Sequence, residues 1–585
     1  MTLVNPLIIP AHLLWDKKKL TDRLKIFKDC LNFEEFSWKE TRNKEMEKVS
    51  IQDFYSGRSV FITGVTGFMG KVLVEKLLRS CPGVDRLYLL IRPTSGKNIL
   101  VRLQELINCK VFEWLKQNQP DALEKLVPIN GDVSLPDLGL SLSDMQELSD
   151  NVSVVFHSAA RVKFDNDLRS SLEMNVRGPQ RMANFCKQFK KLKAFVYVST
   201  TFNNLENKEI AEEIYPASVD PQKLVDLIDS MDDLLLASIT KQLVGKCPNV
   251  YAYTKALGEK ILRNLTEREE HKLLIVIVRP SIVTGAIQEP LAGWIDNFNG
   301  PSGLVAGVGK GLIQTVKAGE KLIADLVPVD IAINLMIAVA WHKGTSDKPS
   351  EPIEVYNCSS GSLNPITWGE FRRLGLQVLS KFPFKEIMRC PGVELRSSWI
   401  VYQIELAFYH HLPALLADTT ARLCGKKPFL TRLYKRTHTL MSCLEFYTSR
   451  EWNFIRRNPI QLIDKMSCTD QEIFNFDVRK IEWGSYMENY VCGIRTFLFN
   501  DDLSSLPAAR KTLKTMKRLR NLTRLIIIGL TLLVFYVLWC NNSPHTSFTL
   551  EFENNTSNSS AHQNVLEMRQ LVDLELCMGR QLTPC

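Results

Sequence analysis

Thr63-Gly64-Val65-Thr66-Gly67-Phe68-Met69-Gly70 follows directly on the apolar run Val60-Phe61-Ile62. Arg58 to Ile62 reads as a buried strand, and Lys71 to Arg79 reads as an amphipathic helix. A glycine-rich turn between a strand and a helix makes a phosphate cradle. The helix N-terminus offers free N–H groups and positive dipole, and glycine removes the Cβ that would hold a phosphate away. A second apolar strand at Leu87-Tyr88-Leu89-Leu90-Ile91 completes a βαβ unit of the length that binds a dinucleotide. The predicted fold class is α/β, a Rossmann-type doubly wound parallel sheet.

The rhythm continues with strands expected at Val127 to Val133, Val152 to Ala160, Phe195 to Thr200 and Leu274 to Val278. Between the last two lies Tyr251-Ala252-Tyr253-Thr254-Lys255. Residues four apart share one helix face, so the Lys255 ammonium is expected beside the Tyr251 phenol, lowering its pKa. An unassisted phenol, pKa about 10, is too weak an acid or base at neutral pH. Tyr253, two residues from Lys255, faces elsewhere. The second strand ends in Ile91-Arg92-Pro93, with no acid for the ribose hydroxyls of NAD. The planar fork of Arg92 suits a 2′-phosphate, so the expected cofactor is NADPH. His157 at a strand end reads as structural.

The Gly-x-x-Gly-x-x-Gly spacing resembles the extended short-chain dehydrogenase/reductases. That resemblance implies a cofactor site of Thr63, Gly64, Thr66, Gly67, Phe68, Met69, Gly70 and Arg92, with Asp132 and Val133 toward the adenine. Ser158, Ala159, Ala160 and Pro280 line the same cofactor, and Tyr251 and Lys255 touch it as well as the substrate. It further implies that Asn175 orders a proton relay. The hydroxyl that meets the substrate carbonyl is expected from Thr200, or from Ser199 if the register differs by one.

Longer runs narrow the resemblance. Arg279-Pro280-Ser281-Ile282-Val283-Thr284-Gly285, Glu289 to Pro301 and Asp325-Leu326-Val327-Pro328-Val329-Asp330 resemble the alcohol-forming fatty acyl-CoA reductases, known also through male-sterility proteins of plants. Tyr409 to Asp418, Phe446 to Phe454 and Phe474 to Arg479 resemble their C-terminal domain, so that the likeness covers about residues 50 to 500. It implies reduction of a long-chain fatty acyl-CoA by NADPH to a primary alcohol, through an aldehyde and with release of CoA. Thr201 and Gly258 depart from the pattern, where relatives carry a small residue and Ala. A membrane-associated sterol dehydrogenase or isomerase shares the extended fold, but not the Gly293-Trp294-Ile295-Asp296-Asn297 run. An inactive cofactor-binding scaffold would have lost a glycine, Tyr251 or Lys255, and all are present.

The 585 residues suffice for two or three domains, and 45% hydrophobic content is that of a globular protein. The expected division is an extension at 1–55, a reductase domain at 56–385, a mainly helical C-terminal domain at 390–505, a membrane segment at 525–540 and a tail at 541–585. Fourteen cysteines without Cys-x-x-Cys pairs suggest neither zinc nor a disulfide framework, and His410-His411 has no second ligand cluster with metal spacing. Leu3 to Leu14 does not read as a secretory signal. Of the net charge of +9, seven positives with no acid among them fall on Arg510, Lys511, Lys514, Lys517, Arg518, Arg520 and Arg524. Leu525 to Cys540 follows, uncharged and about 24 Å long as a helix, against a hydrocarbon core of about 30 Å. It reads as a C-terminal span or anchor, in endoplasmic reticulum or peroxisome, whose basic flank keeps the catalytic domain cytosolic. Asn541-Asn542-Ser543, Asn554-Asn555-Thr556, Asn555-Thr556-Ser557 and Asn558-Ser559-Ser560 are glycosylation sequons if the tail is lumenal. The partners expected are acyl-CoA and a lipid membrane, not nucleic acid, with homo-oligomerisation left open.

Overall fold

The computed structural model describes residues 49–542 except 95, 217–218, 268–272 and 347–352. Seven parallel strands form the main sheet: β1 Ser59–Thr63, β2 Leu87–Ile91, β3 Leu126–Asn130, β4 Val152–His157, β5 Ala194–Val198, β6 Ile275–Pro280 and β7 Ile353–Cys358. Their spatial order is β7-β6-β5-β4-β1-β2-β3. The order reverses between β1 and β4, and in an open α/β sheet that is where a crevice opens beyond the carboxyl ends of the strands. β1, β2 and β4 to β6 are buried at every position, as their continuous apolar runs require.

Strand ends differ from the sequence reading in a way that matters. β4 stops at His157 and β5 at Val198, so Ser158, Ala159, Ala160, Ser199 and Thr200 lie in the loops at the crevice rather than in the ladder. β7 is a strand the sequence reading did not anticipate. It is an edge strand paired only with β6, and its apolar pattern is interrupted by Glu354, which accepts from Lys343 at 2.6 Å. The helix that carries Lys343, Val329–Thr345, is buried on nearly all sides and packs on β5, β6 and the helix after the glycine turn.

The C-terminal region is mainly helical, with helices Trp399–Leu406, Leu412–Leu423, Leu430–Thr448, Arg457–Lys465 and Trp483–Gly493. It shares one apolar core with the sheet, joining Val60 and Leu73 to Phe474, Tyr486 and Val491. Helix Trp483–Gly493 lies directly against the loop after Gly285. The Tyr486 hydroxyl donates to Thr284 Oγ1 at 2.6 Å and Gly285 O at 2.9 Å, and Tyr490 and Ser302 hydroxyls meet at 2.7 Å. The Gly293 and Gly493 backbones approach so closely that a Cβ on Gly493 would stand 1.8 Å from the Gly293 carbonyl oxygen.

The chain divides into two units, one ending at Lys517 and one beginning at Arg518. The second consists, among the described residues, of the continuation of helix Leu506–Asn542. The expected membrane segment 525–540 lies wholly within this 37-residue helix, which is long and apolar enough to cross a membrane and has none of its apolar window buried. Most of the N-terminal extension and most of the tail, three of its four sequons entire and the end of the first, lie outside the described residues.

Gly493→Ala drives a methyl into the Gly293 carbonyl. Thermal unfolding should report a loss of about 1–3 kcal/mol, the usual cost of overpacking a closed contact.

Candidate active site

The glycine turn closes by contact rather than by sequence habit. Gly64 has φ +78°, and a Cβ there would sit 2.8 Å from Ala159 N and from the Ser158 carbonyl carbon. The turn thus lies on the loop that leaves β4. Thr63 reinforces this junction, its Oγ1 accepting from Ala159 N at 3.1 Å and meeting His157 Nδ1 at 3.1 Å. Burial holds the His157 imidazole down at about 3, so it stays neutral and structural. The following helix, Phe68–Ser80, begins three residues earlier than the amphipathic pattern suggests. Its first turn takes in Gly70 because a Cβ there would be 2.2 Å from Gly64 O. Gly67 caps the helix with no side chain, leaving the N-terminal amides for an anion. Phe68 stacks on Trp294 at 5.3 Å and Lys71 pairs with Asp296 at 2.8 Å, which assigns the Gly293 to Asp296 run a role in fixing this helix.

Arg92 lies at the end of β2, 58% exposed and 3.5 Å from Asp132. Asp132 also accepts from Ser134 N and Oγ, so its carboxylate is engaged within its own loop. A residue the sequence reading missed joins this edge. Arg102 reaches back from helix Ile99–Ile107 to Thr66 Oγ1 at 3.3 Å and to the Arg92 carbonyl oxygen. No motif marks it, since only the fold of that helix over the turn brings it there.

Tyr251 and Lys255 share helix Val250–Glu267 as predicted. The expectation that the ammonium lowers the phenol is not met in this geometry. Lys255 Nζ turns to the free end of β5, donating to Val198 O at 2.6 Å, and lies 4.6 Å above the Tyr197 ring. Burial pushes Lys255 down to about 7, opposed by Glu259, while desolvation alone raises the Tyr251 phenol above its ordinary value. Asn175 sits in a π turn, Glu173–Arg177, a local widening that is frequent at functional sites. Its side chain ties the loop at Arg161 to Thr254, with bonds to Arg161 N, Arg161 O and Thr254 Oγ1 of 2.8, 3.1 and 2.9 Å. Its carbonyl faces Gly258, where a Cβ would lie 2.5 Å from Asn175 O and 2.6 Å from the Tyr197 hydroxyl. The Gly258 departure is therefore steric. Thr201 is buried, and nothing in the structure explains its hydroxyl.

Ser199 and Thr200 are both buried beside this helix. Thr200 Oγ1 accepts from Phe202 N at 3.3 Å and approaches Pro280 O at 3.5 Å, whereas Ser199 Oγ accepts from Asn203 at 3.3 Å. Asn203 leads to a buried ion pair that the sequence reading did not find. Glu259 accepts from Arg279 Nε at 2.8 Å and from Asn203 at 2.6 Å, and Arg279 also donates to Ala211 O and Glu213 O. Both charged side chains are essentially inaccessible, at 0% and 1%.

Comparison with known proteins shows the family. Residues 62–336 match the NAD-binding family described as male sterility protein, and residues 409–501 match its Sterile counterpart. Fatty acyl-CoA reductase 1 of Xenopus laevis is 41% identical over 487 residues, covering 83% of this chain and 93% of that one. The Homo sapiens fatty acyl-CoA reductase 1 is 41% identical over 472 residues, 81% and 90% of the two chains. The chain belongs to the fatty acyl-CoA reductase family. Its fold is also that of the reductase domain of a nonribosomal peptide synthetase from Mycobacterium tuberculosis, with a TM-score of 0.51 and 18% identity, covering 76% of this chain and 92% of that one. It is an oxidoreductase with a nicotinamide-dinucleotide domain.

In this member of the fatty acyl-CoA reductase family the Sterile region reaches the neighbourhood of Tyr251. Tyr447, near the end of helix Leu430–Thr448, accepts from Asn249 at 2.8 Å, two residues before Tyr251. Phe164 lies between them, 6.1 Å from the Tyr251 ring and 6.2 Å from that of Tyr447. Phe202 packs edge-on to Tyr447 at 5.1 Å and to Phe454 at 5.4 Å. An aromatic wall from both domains thus stands beside Tyr251. Phe446-Tyr447 was visible in the sequence, but nothing local ties it to a site 196 residues away. Elsewhere, His410 is buried, accepting from Gln314 N at 3.0 Å and meeting His438 at 3.0 Å. Among the described residues, no group of three or more His, Cys, Asp or Glu is placed to hold a metal.

Glu259→Ala leaves the Arg279 guanidinium buried without its carboxylate. Denaturant unfolding should show a loss of about 3–5 kcal/mol, the range for breaking a buried pair from one side.

Proposed function

We propose that this reductase converts a long-chain fatty acyl-CoA to the primary alcohol in two successive reductions at one site, using NADPH. The observation that carries the reading is Tyr251 standing one helical turn from Lys255, beside the Ser199-Thr200 strand end and the Tyr447 wall. The residues present fit the cofactor: the open N-terminus of helix Phe68–Ser80 suits its pyrophosphate, and the close Gly64 and Ser158 backbones suit a flat ligand. Bound NADPH supplies one hydride to the acyl carbon in each reduction.

The protein's part is protonation, orientation and exclusion of water. The raised phenol of Tyr251 stays protonated at neutral pH, the form needed to donate to the oxyanion that develops on the thioester carbonyl. Lys255, one helical turn away on the same face, is the cation that stabilises the growing phenolate once its ammonium turns from the Val198 carbonyl toward the phenol. Thr200, or Ser199, gives a hydroxyl hydrogen bond to the same oxygen. Collapse of the resulting hemithioacetal breaks the C–S bond, CoA leaves as thiol with a proton, and the aldehyde remains. In the second reduction the aldehyde carbon accepts hydride and its oxygen takes a proton from Tyr251, which has been reprotonated from solvent after the first, giving the alcohol. Asn175 holds the Arg161 loop and the Tyr251 helix in register. The aromatic wall of Phe164, Phe202 and Tyr447 shelters an apolar chain.

The donor choice rests on Arg92, whose guanidinium stands beside Asp132 at the end of β2, and on Arg102, whose guanidinium reaches Thr66 in the turn. A 2′-phosphate there gains charge-assisted hydrogen bonds that NADH cannot make. Helix Leu506–Asn542 anchors the enzyme in endoplasmic reticulum or peroxisome with its catalytic unit cytosolic, where substrate and product partition into lipid.

Tyr251→Phe should cut alcohol formation from acyl-CoA by about 10²–10⁴, read by product analysis with NADPH in excess. Retained turnover would exclude Tyr251 as the proton donor. Arg92→Ala combined with Arg102→Ala should raise KM for NADPH about 10- to 100-fold while leaving that for NADH nearly unchanged, the worth of one or two charged hydrogen bonds.

A further inference from the structure

The arm formed by helix Trp399–Leu406, the π turn Ala407–His411 and helix Leu412–Leu423 has the wrong outer face for water. Tyr402, Leu406, His410, Ala414 and Asp418, spaced by four, are buried against the protein. The series offset by two, Ile400, Ile404, Phe408, Leu412 and Leu416, points away from it and is 46 to 66% exposed. A surface helix normally turns polar residues outward. Here, from 397 to 417, the only Lys, Arg, Asp or Glu is Glu405, and it is occupied by Arg396 and Thr315.

The exposure is built in. His410 fixes the middle of the arm to Gln314 N, and Asp418 accepts from Phe429, Leu430 and Thr431 N at 3.0, 3.0 and 2.8 Å, setting the return into helix Leu430–Thr448. That return carries the complementary feature. From Ala421 to Leu444 there are six Lys or Arg and no acid: Arg422, Lys426, Lys427, Arg432, Lys435 and Arg436, all exposed.

We propose that this arm docks on the acidic leaflet of a lipid bilayer, its apolar face at the acyl boundary and its basic return on the headgroup phosphates. An apolar helix face beside a basic one, with Trp399 at the edge, is the chemistry of an in-plane membrane helix. A second copy of the chain is the poorer occupant, because pairing two such faces would bring twelve like charges together. Helix Leu430–Thr448 then runs from this face to Tyr447 at the active site, about 26 Å along its axis. The proposal adds to the membrane reading above, which rests on helix Leu506–Asn542, and needs none of that helix's residues.

The test uses the full chain in anionic proteoliposomes containing a diazirine phospholipid, with labelled peptides mapped after photolysis. Labelling is expected within 399–423 as well as within 525–540. Ile404→Asp/Phe408→Asp/Leu416→Asp should abolish the first and keep the second. Lys426→Gln/Lys427→Gln/Arg432→Gln should lower arm labelling about tenfold or more. Turnover of detergent-dispersed acyl-CoA by each variant confirms that it is folded. Labelling confined to 525–540 would overturn the docking arm and leave the anchor standing. Arm peptides cross-linked to a second copy instead of lipid would overturn it in favour of a dimer face. No labelling of either segment in an active enzyme would overturn both.

Discussion

Arg279 and Glu259, paired in the interior at 0% and 1% exposure, tie together the pieces on which the site depends. Arg279 belongs to β6, Glu259 to the helix of Tyr251 and Lys255, and Asn203 on the same carboxylate belongs to the loop after Ser199 and Thr200. Two charges out of water hold one geometry, since each alternative leaves one of them uncompensated. The pair also reaches Lys255, because the Glu259 carboxylate opposes the burial that pulls its ammonium toward neutrality. One buried interaction therefore fixes where the helix of Tyr251 stands and bears on how Lys255 titrates.

Close backbone approach is the second organising constraint. Gly64 against Ser158, Gly70 against Gly64 and Gly258 against Asn175 are all contacts with no room for a methyl. They draw the turn, the loop after β4 and the Tyr251 helix around one crevice, with little side-chain bulk between a ligand and the main chain. Gly293 against Gly493 does the same for the C-terminal region, which is why its helices share the reductase core instead of forming a separate lobe. Joining the two regions in this way is what allows Tyr447 to stand next to Phe164 and Tyr251.

Much of this was legible in the chain. Five of the seven strands are buried at every position and each carries an apolar run of three or more residues, so they announce themselves. β3 was found with its boundary shifted, whereas β7, an edge strand punctuated by Glu354, was not. The glycine turn and the Tyr251–Lys255 spacing are local patterns set by one strand, one turn or one helix, and the structure keeps them in the expected elements. Arg102, Glu259 and Tyr447 were out of reach because each acts through a partner tens or hundreds of residues away. The direction of the Tyr251 pKa was out of reach for a related reason. Burial of the phenol raises it, and Lys255, held on the Val198 carbonyl, does not bring it down.

The sequence by itself determined the doubly wound sheet, the dinucleotide turn, the helix that bears Tyr251 and Lys255 and the long apolar helix near the C-terminus. Each is a matter of local periodicity or of residue types a few positions apart. The tertiary structure alone decided that Arg102 reaches the turn, which aromatic groups stand beside Tyr251, and which face of the arm at 399–423 is left apolar. Those depend on packing between distant segments. A hydrophobic pattern says that a face is to be covered, and only the assembled fold shows whether protein covers it.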